Sequence, residues 1–126
     1  MRRSLSGGGI VVAKIGSSSL TTAGLAINED AVTQVVRQVA ESWRSGHPTV
    51  LVTSGAVAAG LGALGASKRP ADVPGLQVAA AVGQGRLMEG YSRAFVAEGM
   101  VAGQILLTKS VLADREQYLH LSLIHI

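Results

Sequence analysis

Two apolar runs, each ended by a turn of small residues, constrain this chain more than any other feature. Residues 10–15 (IVVAKI) are apolar except for Lys14 and give way to Gly16-Ser17-Ser18-Ser19. Residues 48–53 (PTVLVT) give way to Ser54-Gly55-Ala56. Near-continuous apolar runs of this length read as parallel strands buried on both faces. Between them, Asn28 is placed to cap a helix, and Glu29 and Asp30 suit the positive end of its dipole. Ala31, Val32, Val35, Val36, Val39, Ala40 and Trp43 then form one stripe at helical spacing, and Gly46 can end the helix in a left-handed turn.

After the second run, GAVAAGLGALG reads as a short helix of small residues and SKRPADVP as a surface loop. Pro74 suits the first turn of a long helix over about residues 75–98, which Gly83 and Gly85 either kink or fit closely to a neighbour. MVAGQILLT predicts a third strand and SVLADREQYL the start of a fourth helix. This alternation implies an α/β fold with a parallel sheet and right-handed crossovers. Residues 1–9 read as a flexible leader, too short and too charged around IVVAKI to be a signal peptide.

Composition narrows the functional classes. A chain of 126 residues, 48% hydrophobic and 15% charged, is globular. It has no apolar run of 18 residues that would span a bilayer. Cysteine is absent, which excludes thiol chemistry and suits a cytoplasmic setting. The net charge is +3, but the eleven Lys and Arg are scattered and only four aromatics could stack on bases. Small anions therefore fit the charge better than nucleic acid does.

Gly60-Leu61-Gly62-Ala63-Leu64-Gly65 spells the dinucleotide fingerprint, but the preceding strand ends at Thr53 and no acidic residue stands near Ala80 for a ribose. These glycines read instead as a close helix contact. His120 and His125 are five apart without a carboxylate beside them, so no metal site is expected there. DREQ (residues 114–117) reads as a solvated helix face.

The strand ends are the better candidates. Ligands of open α/β sheets gather beyond the carboxyl ends of the strands, where Lys14, Gly16 and Ser17 on one run meet Ser54, Gly55 and Ala56 on the other. Small residues let backbone N–H groups approach a ligand, a helix N-terminus attracts anions, and Lys14 adds a full charge. This equipment suits phosphoryl transfer, which needs positioning and charge neutralisation. Equally, Lys14 can snorkel to solvent while the serines only make a turn.

These segments resemble the glutamate 5-kinase family of amino-acid kinases. VVAKIGSSSL is similar to its opening, V-V-K-[IVL]-G-[ST]-S, and VLVTSGAVAAGLGALG to its second-strand signature. RPADVPGLQVAAAVGQGRLMEGY and GQILLTKSVLADREQYL look like its third and fourth segments, in the same order, so the resemblance spans residues 10–119. It implies a three-layer αβα sandwich with a mainly parallel sheet, and ATP-dependent phosphorylation of the L-glutamate side-chain carboxylate, the first step toward proline. By this resemblance Lys14 neutralises the transferring phosphoryl group, Gly16 and Ser17 lie near the nucleotide phosphates, and Ser54, Gly55 and Ala56 meet glutamate. Mg2+ would arrive on ATP, with no metal ligand from this chain, and the full-length protein would be a cytoplasmic homo-oligomer. The absence of a general base fits, because a carboxylate with a pKa of roughly 4.3 is already ionised at neutral pH. Other amino-acid kinases, such as isopentenyl phosphate or carbamate kinase, and a non-catalytic α/β fragment are the rival readings.

The family chain is roughly double this length and continues Asn-Ala-Arg after DREQYL. Here residues 120–126 read HLSLIHI, which resembles translated sequencing-adaptor read-through. A sheet truncated after about three strands would leave an apolar edge unpaired, so the isolated polypeptide is expected to be poorly soluble and inactive.

Overall fold

The computed structural model describes residues 9–22, 26–107, 110 and 113–116. Strand β1 (Val11–Ile15) and strand β2 (Thr49–Thr53) pair in parallel, with Val11 opposite Thr49 and Ile15 opposite Thr53. Helix α1 (Glu29–Arg44) connects them. It is followed by α2 (Ala56–Ala63) and a 25-residue α3 (Val73–Ala97). The parallel α/β order read from the sequence is therefore present.

Helix α1 starts where its sequence directs. The Asn28 side chain accepts the Ala31 N–H at 3.1 Å, and Glu29 and Asp30 occupy the first turn. Replacing Asn28 with alanine orphans that N–H and is expected to cost about 1 kcal/mol. A denaturant midpoint measured for Asn28→Ala checks this. At the far end Gly46 takes φ +83°, the left-handed conformation expected of it.

Val32, Val36, Val39 and Ala40 of α1 are buried as the stripe requires. Trp43 is not; it is 53% exposed. A five-residue strand is about 17 Å long, whereas a sixteen-residue helix runs to about 24 Å, so the last turn of α1 outreaches the sheet. Helix α3 begins with Asp72, whose carboxylate accepts the Gly75 N–H at 3.3 Å, and Pro74 sits in its first turn. It runs unbroken through Gly83 and Gly85.

The core gathers Leu20, Val32, Val36, Leu87 and Tyr91, with Ile15, Leu51 and Phe95 packed against them. It lies on one side of the sheet. On the other side Val12 and Val52 are 66% and 46% exposed, so among the described residues no helix covers that face. The strand expected over residues 100–108 is not formed over its described part, 100–107. Residues 100–107 have no regular structure, and Val101, Leu106 and Leu107 face solvent. A strand exists through its ladder, and no described neighbour offers this apolar run one. The described sheet therefore has two strands rather than three.

Of the leader, only Gly9 is described. Residues 111, 112 and 117–119 of the predicted fourth helix, together with His120, His125 and the tail at 120–126, lie outside the described residues. No described helix is long and apolar enough to cross a membrane.

Candidate functional site

The parallel register puts both turns at one end of the sheet. Ile15 and Thr53 are opposite one another, so Gly16 and Ser54 leave the strands side by side. The Ser54 N–H donates to the Ile15 carbonyl at 3.2 Å, and its hydroxyl reaches the same oxygen at 3.4 Å. Gly55 then backs onto Ser17: a Cβ built on Gly55 would lie 3.9 Å from both Ser17 Cα and Ser17 Cβ. Lys14, Gly16 and Ser17 are thus brought together with Ser54, Gly55 and Ala56.

Each turn has a local physical origin. Ser17–Ser19 form a single 3-10 turn closed by Leu20 N–H to Ser17 O at 3.0 Å and pinned by the fully buried Leu20. The Thr21 hydroxyl also donates to Ser17 O, at 3.0 Å. The first N–H groups of such a turn have no acceptor within it and face outward. A Cβ on Gly16 would meet nothing nearer than Ser18 Oγ at 4.0 Å, so the backbone there is open to an incoming group. Gly55 is different. Its φ of +117° is a conformation for glycine. It also caps α2 without any side-chain acceptor, leaving the N-terminal N–H groups of that helix unclaimed by a cap.

Lys14 shares the uncovered face of the sheet with Val12 and Val52 and is itself exposed. No carboxylate among the described residues pairs with it. A strand rises about 3.3 Å per residue, so Gly16 stands roughly 7 Å beyond Lys14, within reach of a four-carbon side chain. The ion pairs of the described residues form elsewhere: Glu29 pairs with Arg93 at 3.5 Å, and Glu98 with Arg44 at 3.0 Å. No group of His, Asp and Glu among the described residues could hold a metal ion.

A groove of about 180 Å³ lies elsewhere. It runs between β1 and α1 along Val11, Ala13, Val35, Val39 and Leu51, on the sheet face opposite Lys14. Its lining is mainly aliphatic, with Gln38, Ser42 and Thr49 but no cation, which suits a packing gap better than a seat for an anion.

Of the dinucleotide-like glycines, Gly60 makes a helix contact, whereas Gly65 takes φ +64° after the helix and a Cβ there would meet nothing within 4 Å. Gly60 lies within α2, where a Cβ would fall 1.7 Å from the Ala79 carbonyl oxygen of α3.

Tyr91 escaped the sequence reading. It is 2% exposed, and its hydroxyl sits 2.9 Å from Thr53 Oγ1, at the residue before Ser54. Burial pushes the phenol above its ordinary value, so it stays protonated as a hydrogen-bond donor. The signal was available: Ala79, Gly83, Leu87 and Tyr91 recur every four residues as the buried face of α3, and a phenol on such a face needs a polar partner.

The profile of the amino acid kinase family matches residues 9–123. A protein called glutamate 5-kinase from Neisseria gonorrhoeae (strain NCCP11945) is 45% identical over 108 residues, which cover 86% of this chain and 37% of that protein. Glutamate 5-kinase of Geobacillus kaustophilus (strain HTA426) is 48% identical over 111 residues, 88% of this chain and 30% of the relative. Glutamate 5-kinase 2 of Bacillus licheniformis is 45% identical over 108 residues, 86% and 29% of the two chains. The chain therefore spans about a third of the length of these curated relatives, a smaller share than the half expected from the motifs. With the family profile matched across nearly all of its length, and two strand-end turns converging beside a lysine, this chain belongs to the amino acid kinase family.

Proposed function

We propose that these residues form the acceptor-binding part of an ATP-dependent glutamate 5-kinase. The observation that carries this is the juxtaposition at the sheet edge: an unpaired lysine beside two backbone-rich turns, with Ser54 bonded to the Ile15 carbonyl. The names of the relatives at 44–48% identity support glutamate as the acceptor.

Bound as its magnesium complex, ATP supplies the phosphoryl group. The residues present suit that role, since an open turn at Gly16 and Ser17 and a free ammonium at Lys14 both favour phosphate oxygens. In this reading the magnesium ion arrives on the nucleotide phosphates. Ser54, Gly55 and Ala56 hold the glutamate, using the N–H groups at the start of α2. A side-chain carboxylate oxygen forms the new O–P bond while the bond from phosphorus to the bridging oxygen of ADP breaks, and ADP leaves with that electron pair. The acceptor is already ionised, so no base is needed. Lys14 offsets the negative charge as it moves between the two oxygens. The full-length protein is cytoplasmic and homo-oligomeric in this reading, and γ-glutamyl phosphate is its product on the way to proline.

The test is an acceptor series with the complete gene product. ADP release from MgATP is expected with L-glutamate and at background with carbamate or isopentenyl phosphate. Turnover with either alternative and none with glutamate would reassign the acceptor.

A further inference from the structure

We propose that Tyr91 is a positioning residue for the turn at residues 54–56, acting through Thr53 to aim the Gly55 N–H at the acceptor. The inference deepens the acceptor reading above and rests on it. Thr53 Oγ1 makes two contacts, one to the Tyr91 hydroxyl at 2.9 Å and one to the Ser54 carbonyl oxygen at 3.2 Å. A carbonyl only accepts, so Thr53 donates to Ser54. A threonine hydroxyl has one hydrogen, so Tyr91 must donate to Thr53. The hydrogen bonds therefore run one way, from α3 through the end of β2 into the turn.

Ser54 is consequently held from two sides. Its N–H and hydroxyl are directed at the Ile15 carbonyl of β1, and its own carbonyl is held by Thr53. The Ser54 carbonyl and the Gly55 N–H belong to the same planar peptide unit, so fixing the oxygen fixes the direction of that N–H. Gly55 is the left-handed residue on which α2 begins. A small rock of this peptide would swing the first donor of the turn away from its target. The Tyr91 ring is buried with Leu20, Val32, Val36 and Leu87, which gives the hydroxyl a rigid base.

The experiment uses Tyr91→Phe and Thr53→Val in the complete gene product. Tyr91→Phe keeps the ring and removes only the oxygen. The KM for glutamate is expected to rise about fivefold to tenfold, the loss of one hydrogen bond, with the KM for ATP unchanged. Hydrogen–deuterium exchange at residues 54–56 should quicken while α1 stays protected. Because both variants break one chain of bonds, the double variant should be no worse than the more damaged single one. Equal rises in both KM values, or exchange at 54–56 unchanged by Tyr91→Phe, would overturn the positioning role. If the unsubstituted protein fails to turn over glutamate, the acceptor reading falls, and the exchange measurement alone still decides whether Tyr91 holds the turn.

Discussion

Lys14→Ala in the complete gene product is expected to lower kcat for glutamate phosphorylation by about 10²- to 10³-fold, the usual loss when one electrostatic donor to a transition state is removed. The expectation follows from what Lys14 does not do. It is exposed, it pairs with no described carboxylate, and its side chain packs into no core cluster. Its removal should therefore leave the fold almost untouched, with a change in stability within about 0.5 kcal/mol. The KM for glutamate should move little, because the proposed acceptor turn begins at Ser54, beyond the end of the neighbouring strand. Lys14→Arg should restore only part of the rate, since a planar guanidinium does not reproduce the compact point charge of an ammonium. Steady-state kinetics and thermal melts on the same preparations separate the two roles. A melt shifted by many degrees would make Lys14 structural, and an unchanged kcat would remove it from the chemistry.

What the sequence disclosed and what it withheld divide along a physical line. Patterns that depend on nearest neighbours were legible: the Asn28 cap, the α1 stripe from Val32 to Ala40, Pro74 in the first turn of α3 and the left-handed Gly46. The same holds for the meeting of Gly16 and Ser17 with Ser54 and Gly55, because parallel strands with equal apolar runs must end together. Features set by a distant partner were not legible. Residues 100–107 carry the composition of a buried strand, but pairing requires an edge that composition does not specify. Trp43 fits the helical stripe, yet its exposure depends on the sheet being shorter than the helix. The Tyr91–Thr53 hydrogen bond joins residues 38 positions apart, so only the buried four-residue repeat on α3 hinted at it.

Gly83 and Gly85, both inside α3, should behave in opposite ways, which makes them a sharp test of the packing beneath the site. A Cβ at Gly83 would fall 1.7 Å from the Ala56 carbonyl oxygen and 2.3 Å from the Gly60 nitrogen. Both are backbone atoms of α2, so no side chain can rotate aside and the helices themselves must part. Overpacking in a core typically costs 1–3 kcal/mol, and a clash against backbone belongs at the upper end, so Gly83→Ala is expected to cost about 3 kcal/mol or more. Gly85, two residues on, meets nothing within 4 Å. There alanine only removes the entropy penalty of glycine in a helix, and Gly85→Ala should stabilise by about 0.5–1 kcal/mol. Urea midpoints of the two variants should therefore move in opposite directions from the parent. The site should feel only the first change, because Ala56 is the first residue of α2 and follows the Gly55 turn directly. Gly83→Ala should thus weaken glutamate binding even in the fraction that folds, whereas Gly85→Ala should leave it intact. Equal midpoints for the two variants would mean that α2 and α3 do not touch backbone to backbone, and the turn would then lose its support from below.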